Sequence, residues 1–342
     1  MILRAEDSLR DAIARLRADP WGVAVVLGAD GRFVSTVSDV ALRRALLRQV
    51  ALDAPVSEVM SARPVVAAAS AGDEQIAELL RTHRVRALPV VDEAGRVVAM
   101  RALDDFPEHA VTPVAVIMAG GRGLRLRPVT DKLPKPLLRV GSCSIIERII
   151  GGLVEAGVRD VYLAVNYKAD IFHERLGDGA SLGVNLHYLH EETELGTAGA
   201  LSLLPPIDGP LLLTNGDIVT TVDFARMVDF HRHHGGALTV GGVEHVSHVP
   251  YGILATADYH LLSIEEKPER REFCNAGIYV LEPEVLELIA PDTHVNMPTL
   301  IDAVLSDGRA VNVFPIHEKW FDIGGPAEFE RILIQFATGE ES

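Results

Sequence analysis

A glycine-rich, positively charged segment is the first stretch of the sequence whose residue types suggest chemistry. It reads AGGRGLRLRPVTDKLPKPLL over residues 119–138, in a chain whose net charge is −16. Closely spaced glycines let a backbone approach a ligand and direct successive N–H groups at phosphate oxygens. Arg125 adds a planar guanidinium and Lys135 a compact ammonium, and both suit phosphate oxygens. The segment therefore predicts a binding site for a small phosphorylated ligand.

Two familiar phosphate-binding motifs do not fit this segment. A Walker A loop would continue into Gly-Lys-Ser or Gly-Lys-Thr, which does not follow here. The dinucleotide fingerprint needs a glycine spacing that differs from GGRGLR. The sequence therefore favours a different kind of phosphate loop, placed directly after the apolar strand VAVIM.

Two aspartates are candidates to complement the positive charge. Asp217 lies in NGDI after the apolar stretch LLL, and Asp322 lies in WFDIGGP just before two glycines. Proteins bind Mg²⁺ through one or two carboxylates together with substrate phosphates. Taken alone, an aspartate beside glycine more often marks a turn. Their assignment as an Mg²⁺ pair therefore depends on the family resemblance given below.

The elements that must position these residues alternate along the chain. After residue 113, apolar strands such as VAVIM and DVYLAV alternate with helices such as IIERIIGGLVEAG. This alternation predicts a mostly parallel sheet with helices on both faces, and ligands bind such sheets beyond the carboxyl ends of the strands. One predicted helix, VDFARMVDFHRHH, is expected to expose its histidines to solvent and to bind no metal.

The first third of the chain contains a repeat. VAVVLGADGRFV (residues 23–34) and ALPVVDEAGRVV (residues 87–98) each join two apolar strands through an acidic turn and a Gly-Arg pair. The two Gly-Arg pairs stand 64 residues apart, which marks a duplicated βαβ-type module. The predicted organisation is a first module at 1–56, a second at 57–108, a linker at 109–113 and a further domain at 114–342.

Composition and charge exclude several classes of protein. The chain has 342 residues, of which 48% are hydrophobic, and only two cysteines, Cys143 and Cys274. It contains no long uncharged apolar run and no signal-like apolar segment, so no membrane association is expected. An acidic chain does not favour nucleic-acid binding, and two cysteines support neither a disulfide framework nor a zinc site. We therefore expect a cytoplasmic multidomain protein.

Residues 1–108 resemble a tandem pair of cystathionine-β-synthase (CBS) domains, through VSEVMSARPVVAA, HRVRALPVVDEAGRVVAM and STVSDVALRRALL. Such pairs often bind adenine nucleotides with a Thr or Ser and an Asp after the final strand. Ser38 fits the hydroxyl position and Asp105 the aspartate position, whereas Ala41 and Ala102 replace their counterparts. An adenine nucleotide here is one hypothesis. A folded spacer, or a module that assembles the chain into a homo-oligomer, is the favoured one.

The segment MAGGRGLRLRPVTDKLPKPLL resembles the signature of the sugar-1-phosphate nucleotidyltransferases. That family joins a nucleoside triphosphate to a sugar 1-phosphate, giving a nucleotide sugar and pyrophosphate. The resemblance covers about residues 113–335 and implies an α/β, Rossmann-like (glycosyltransferase-A-like) domain with a mixed, mostly parallel sheet, preceded by the tandem CBS pair of βαββα units. Leu124 departs from the pattern, because the family usually has threonine there.

The resemblance implies roles for residues across the candidate site. Arg125, Lys135 and Asp217 would be catalytic, and Asp217 and Asp322 would hold Mg²⁺. The implied nucleotide-binding residues are Ala119, Gly120, Gly121, Gly123, Glu191, Gly196 and Thr197. The implied sugar-phosphate-binding residues are Tyr251, Gly252, Glu266, Lys267, Asn275 and Gly277.

Glu191 suggests which base is bound. In the family the residue five before Gly196, here Glu191, faces the hydrogen-bonding edge of the base. A carboxylate only accepts hydrogen bonds, which suits the N1–H and exocyclic amine of guanine, whereas glutamine would serve uracil or thymine better. GTP is therefore favoured, and uridylyl or thymidylyl transfer stays open.

These features together predict transfer of GMP from GTP to a hexosamine or hexose 1-phosphate. The domain order most resembles the glucosamine-1-phosphate guanylyltransferases of bacterial legionaminic acid synthesis, and mannose- and heptose-1-phosphate guanylyltransferases are alternatives. A non-catalytic sensor of nucleotide sugars, suggested by Leu124, is a hypothesis from a different class.

Overall fold

The structure is a computed structural model that describes residues 1–17, 19, 21–83, 85–106 and 113–337. It divides into two compact units. Unit 1 comprises Met1–Pro113 and Phe224–Gly236, and unit 2 comprises Val114–Asp223 and Ala237–Ser342. The predicted linker at 109–113 lies, except for Pro113, outside the described residues.

Unit 1 contains two modules that share the order strand, helix, strand, strand, and the first module ends with one further α-helix. The first holds β1 (Ile2–Leu3), α1 (Leu9–Arg17), β2 (Val23–Leu27), β3 (Phe33–Ser38) and α2 (Asp39–Leu47). The second holds β4 (Ala67–Ala68), α3 (Asp73–Thr82), β5 (Ala87–Val91) and β6 (Val97–Ala102). Each module forms a three-stranded sheet whose first pair is parallel and whose second pair is antiparallel. The strand–turn–strand units predicted at both Gly-Arg pairs are therefore confirmed.

Unit 2 begins with alternating strands and helices. Its first elements are β7 (Val114–Met118), β8 (Arg139–Val140), β9 (Cys143–Ser144), α4 (Ile145–Glu155), β10 (Asp160–Val165), α5 (Ala169–Leu176), β11 (Asn185–His190), α6 (Gly196–Gly199), β12 (Leu211–Asn215) and β13 (Ile218–Thr220). Helix α7 (Phe224–His234) then belongs to unit 1. Unit 2 resumes with β14 (Leu238–His248), β15 (Ile253–Ala257), β16 (His260–Glu265), β17 (Glu269–Leu281), α8 (Met297–Ser306), β18 (Val311–Ile316), β19 (Trp320–Asp322) and α9 (Pro326–Ala337). No helix in these described ranges has both the length and the apolar character needed to cross a bilayer.

The centre of unit 2 is a seven-stranded sheet in the order β11-β10-β7-β12-β17-β14-β18. Strands β11, β10, β7 and β12 run parallel, whereas β17 is antiparallel to both of its neighbours. This confirms the predicted mixed, mostly parallel α/β fold. Because Met118 pairs with both Ala164 and Asn215, the carboxyl ends of β7, β10 and β12 meet at one edge of the sheet.

Burial of apolar strands and helix faces holds this sheet in place. Val116 of β7 and Leu213 of β12 are fully buried and share a cluster with Met297 and Leu300 of α8. Burying one such side chain stabilises the fold by about 1.5–3 kcal/mol. The parallel strands are covered on both faces, which is why VAVIM reads as a continuous apolar run instead of an alternating one.

Helix α7 makes a buried ionic contact within unit 1. Arg226 is only 8% exposed, and its Nη1 lies 3.3 Å from Oδ1 of Asp39. Its Nη2 donates to the carbonyl oxygens of Leu16, at 2.7 Å, and of Asp19. Asp39 also accepts a hydrogen bond from Nε of the fully buried Arg43, at 2.6 Å. A guanidinium from residue 226 thus joins two segments of the first module.

The prediction that α7 exposes its histidines is wrong for His231, which is fully buried. Phe224, Met227 and Val228 on the same helix are also buried. Residues three, four and seven positions apart share one face of a helix, so His231 continues the apolar stripe of these residues. The sequence pattern was therefore amphipathic, and the buried face of α7 packs within unit 1.

Arg226→Ala should loosen unit 1. Removing the guanidinium leaves the buried Asp39 without one of its charged partners and two carbonyl oxygens without their donor. Losses of this kind lower the free energy of unfolding by on the order of 3 kcal/mol. Native-state hydrogen exchange should therefore accelerate in residues 9–17 and 224–234. The control Arg10→Ala removes an ion pair with Asp53 whose side chains are 63% and 85% exposed, and should cost less than about 1 kcal/mol. Equal effects of the two substitutions would contradict the proposed importance of Arg226.

Candidate functional site

A cavity of about 440 Å³ opens at the carboxyl ends of the parallel strands of unit 2. Most of its wall comes from three segments, residues 118–126, 191–197 and 215–217. They follow β7, β11 and β12, which lie in the same parallel part of the sheet. The cavity therefore lies at the sheet edge where the sequence places ligand binding.

The glycines after β7 bring backbone against neighbouring segments. A Cβ at Gly120 would lie 2.7 Å from Oε1 of Glu191, so a larger residue there would require the Glu191 carboxylate to move. Gly123 has a φ of +60°, and a Cβ on it would lie 2.9 Å from Cγ2 of Thr130. Nothing stands within 4 Å of a Cβ position at Gly121. The loop is thus packed at two glycines and has open space at the third.

Lys135 and Asp217 form an ion pair inside the cavity. Lys135 Nζ lies 2.7 Å from Asp217 Oδ2, and the lysine side chain is only 11% exposed. The turn that carries Asp217 is held tightly, because Gly216 N–H donates to the carbonyl oxygen of Met118 at 2.9 Å. A Cβ at Gly216 would lie 2.7 Å from that same oxygen, so glycine is required there. The pair therefore joins the segment after β7 to the segment after β12.

Asp322 reaches the same place from a distant part of the sequence. Strands β13 and β19 pair antiparallel, with Ile218 opposite Asp322. The backbone N–H of Ile323 donates to the carbonyl oxygen of Asp217 at 3.3 Å, so the two aspartates are close neighbours. A Cβ at Gly324 would lie 3.7 Å from Nη1 of Arg125 and 3.8 Å from Oδ2 of Asp322. Two acids and two cations predicted from separate motifs therefore converge.

The electrostatics of Asp322 reflect this crowding. The residue keeps part of its surface exposed. Even so, partial burial and then the nearby Asp217 carboxylate raise the pKa of Asp322, while Lys135 and Arg125 act in the opposite direction. A cation bound nearby would stabilise the ionised carboxylate of Asp322 and lower its pKa again.

Glu191 holds the opposite wall of the cavity. The residue is 9% exposed, and its Oε2 accepts a hydrogen bond from the backbone N–H of Leu195 at 3.0 Å. Burial raises the pKa of Glu191, the Leu195 N–H lowers it, and the charge of Glu194 raises it. The carbonyl oxygen of Glu191 also accepts from Nδ2 of Asn166 at 2.7 Å. Both the carboxylate and the backbone of Glu191 are therefore hydrogen-bonded within the wall.

A salt bridge outside the predicted set lies at the mouth of the cavity. Nε of Arg122 lies 3.0 Å from Oε1 of Glu194, and the two side chains are 58% and 61% exposed. Both residues line the cavity, one from the glycine-rich loop and the other from the loop after β11. An exposed pair of this kind contributes little to stability.

The cavity brings together ten of the residues predicted for the site. They are Ala119, Gly120, Gly121, Gly123, Arg125, Lys135, Glu191, Gly196, Thr197 and Asp217. Sequence reasoning missed Arg122, Glu194, Asn215, Gly216, His294 and Gly324, which also line the cavity. Most of these lie inside the quoted motifs and could have been predicted from them. His294 lies nearly a hundred residues from Gly196, and no motif pointed to it.

The predicted sugar-phosphate residues are divided by the structure. Gly277 has a φ of +70°, and a Cβ on it would lie 2.6 Å from Nδ2 of the cavity residue Asn215. Asn275 Oδ1 accepts from the Gly277 N–H at 3.0 Å, so both lie next to the cavity. The other four lie at the base of the exposed β15–β16 hairpin and do not line the cavity; they are Tyr251, Gly252, Glu266 and Lys267.

Unit 2 is therefore a mixed α/β domain with a glycine-rich loop at the carboxyl edge of its sheet, which is where α/β domains bind ligands. Residues 114–337 match the nucleotidyl transferase family, and residues 56–100 match the CBS domain. The chain belongs to the nucleotidyl transferase family. The CBS match covers part of the second module of unit 1.

Curated relatives and solved structures agree with this assignment. The mannose-1-phosphate guanyltransferase of Saccharomyces cerevisiae is 34% identical over 227 residues, which are 63% of this chain and 62% of the relative. That of Aspergillus fumigatus is 36% identical over 230 residues, with the same coverage. HddC from Yersinia pseudotuberculosis superposes with a TM-score of 0.53 at 26% identity, over 66% of this chain and all of that one. The chain spans less than two thirds of the length of the two curated relatives.

Asp322→Asn should change how stability depends on pH when divalent metal is absent. Because the pKa of Asp322 is raised above its ordinary 3.8, the folded protein keeps this proton to a higher pH than the unfolded chain does. The free energy of unfolding should therefore fall as pH rises from 3.8 through the raised pKa, and the asparagine variant should lose this component.

Urea unfolding in EDTA, between about pH 3.5 and 7, measures this difference. Asp208→Asn, at an exposed aspartate, is the control and should leave the profile unchanged. Parallel pH profiles of unfolding free energy for Asp322→Asn and the unsubstituted protein would contradict a raised pKa for Asp322.

Proposed function

We propose that this chain is a guanylyltransferase that transfers GMP from GTP to a sugar 1-phosphate and releases pyrophosphate. One observation carries the proposal: a single cavity contains the glycine-rich loop, the Lys135–Asp217 pair and the carboxylate of Glu191. These are the parts needed to hold a triphosphate at one end and a base at the other. The similarity to mannose-1-phosphate guanyltransferases supports the same activity.

The residues at the phosphate end fit a divalent cation. Asp217, directly before β13, and Asp322, at the end of β19, supply hard carboxylate oxygens, and Arg125 lies beside them. Within the described ranges no group of three or more His, Cys, Asp or Glu side chains could hold a metal by itself. Mg²⁺ suits this arrangement, since it takes few carboxylates and completes its shell with water and substrate phosphates. When bound, it would neutralise charge on the reacting phosphates.

The proposed reaction needs little covalent participation by the protein. An anionic oxygen of the sugar phosphate attacks the α-phosphorus of GTP and forms a new P–O bond. The bond between that phosphorus and the bridging oxygen to the β-phosphate breaks, and its electron pair leaves with pyrophosphate. Lys135 and Arg125 would bind the leaving group and stabilise the charge that develops on it. The glycine-rich loop would orient the triphosphate for in-line attack.

The sugar is proposed from the relatives and from the residues beside the cavity. Mannose 1-phosphate is favoured because the curated relatives act on it by name. Glucosamine 1-phosphate, suggested by the CBS-containing domain order, is the next candidate. Asn275 and Gly277 adjoin the cavity and are the better supported sugar contacts, while Tyr251, Glu266 and Lys267 require the β15–β16 hairpin to approach a bound sugar.

For unit 1 we favour a structural role over nucleotide binding. Ser38 Oγ accepts from the backbone N–H of Ala41 as the cap of α2. The Asp105 carboxylate accepts from the backbone N–H of Ala102 and from Arg101. Both side chains therefore already bond to neighbouring groups within their own module. The two free cysteines support a reducing, cytoplasmic location.

Pyrophosphate release tests the activity. Four nucleoside triphosphates should be assayed against mannose, glucosamine, glucose and heptose 1-phosphates with Mg²⁺, and GTP should give the highest kcat/KM. EDTA should abolish turnover. Lys135→Met and Asp217→Asn should each lower kcat by about a hundredfold or more, because each removes charge stabilisation from the site.

Lys132→Met provides the matched control, because it removes an exposed lysine three residues from Lys135 and should keep full activity. Absence of pyrophosphate from every combination would sink the proposal. Tight binding of a nucleotide sugar without turnover would instead favour the sensor hypothesis.

A further inference from the structure

The segment before α8 is bonded to the loop that carries the base-recognition residues. Val295 N–H donates to the carbonyl oxygen of Leu195 at 2.9 Å, and the Val295 carbonyl oxygen accepts from the N–H groups of Ala198 and Gly199. Asn296 Oδ1 accepts from the Thr197 N–H at 3.2 Å, and Thr197 Oγ1 accepts from the Met297 N–H at 2.9 Å. Five hydrogen bonds thus fix residues 295–297 against residues 195–199.

These bonds place the imidazole of His294 at the cavity wall. His294 lines the cavity, and its Nε2 would lie only 3.1 Å from a Cβ at Gly196. Gly196 has a φ of +80°, and a Cβ there would also lie 2.6 Å from the carbonyl oxygen of Val295. Glycine at 196 therefore makes room for the His294 ring next to the backbone of the loop. In the described part of the chain, no protein group forms a hydrogen bond with either ring nitrogen of His294.

Glu191 and His294 lie next to adjacent residues of the same loop, and one can accept a hydrogen bond where the other can donate one. Glu191 Oε2 is bonded to the N–H of Leu195, and His294 Nε2 lies beside the next residue, Gly196. An ionised carboxylate only accepts hydrogen bonds, whereas an imidazole N–H donates. Both side chains line the same cavity, so a base bound there meets an acceptor from Glu191 and a donor from His294.

We infer that His294 is a base-specificity residue whose Nε2–H donates to the six-position oxygen of guanine while Glu191 accepts from N1–H and the two-position amine. Guanine carries these donors and this acceptor next to one another on a single edge. Adenine has a donating amine at the six position and an unprotonated N1, so it would oppose both groups. The inference rests on the proposed nucleotidyl transfer from GTP and explains how the same cavity would reject ATP.

His294→Ala should lower kcat/KM for GTP by about tenfold or more, which is the loss expected for one hydrogen bond to a base. His294→Gln, whose amide can still donate, should recover part of the loss. The triphosphate of 2-aminopurine riboside, which lacks the six-position oxygen, should react poorly with the unsubstituted protein, and His294→Ala should weaken it no further. Inosine triphosphate keeps that oxygen and lacks the two-position amine, so it should still lose activity on His294→Ala.

The control His83→Ala removes an exposed histidine of unit 1 and should leave the ratio of GTP to ATP turnover unchanged. Calorimetric binding of GTP without sugar phosphate separates the two proposals. If the unsubstituted protein does not turn over GTP, the proposed function fails whether or not GTP binds. If it uses GTP but His294→Ala weakens GTP and the 2-aminopurine analogue equally, His294 only positions the loop and the inference is overturned.

Discussion

The ion pair between Lys135 and Asp217 is the interaction on which the candidate site depends. It connects the segment after β7 with the segment after β12, and the lysine is nearly buried. Removing water from two opposite charges is costly, so such a pair persists only where the backbone holds both partners close together. The parallel pairing of β7 and β12 and the tight turn at Gly216 supply that restraint. A cation and an anion are therefore already in place where the proposed phosphates and metal would bind.

The second constraint is the close approach of neighbouring segments to the backbone at three glycines. Lack of space for a side chain explains these glycines better than a need for flexibility does. Gly120 lies against Glu191, Gly216 against Met118, and Gly196 against Val295. At each position a Cβ would lie under 3 Å from another atom, which is closer than van der Waals contact permits. Gly120 and Gly216 bring the three segments of the cavity wall together, and Gly196 brings one of them against the segment before α8.

The course of the chain links this site to unit 1. Asp217 precedes β13, and the chain leaves unit 2 at Asp223 to form α7. Because Arg226 and His231 of α7 are buried within unit 1, folding of this helix depends on the N-terminal modules. The segment between Asp217 and α7 is therefore anchored at both ends. This route was hidden from the sequence, which suggested the linker at 109–113 as the connection between the two parts.

Much of the fold and half of the site could be predicted from sequence, because the signals were local. Apolar strands followed by glycine-rich loops predicted the α/β fold. Arg125, Lys135 and Asp217 lie in short motifs whose chemistry can be recognised from the sequence. The strand–turn–strand repeats of unit 1 were equally clear, since both copies use the same residues at their turns.

Only the tertiary structure decided the contacts between distant segments. The sequence pattern predicted α7 as a solvent-exposed helix, whereas one face of it is buried in unit 1, so His231 was misplaced. His294 lines the cavity because residues 295–297 hydrogen-bond to residues 195–199. The sequence of neither segment predicts that contact. Likewise, Tyr251 and Lys267 match a motif yet lie outside the cavity, since the direction of a hairpin depends on packing elsewhere. Sequence specifies local geometry, whereas long-range pairing is a property of the whole packed chain.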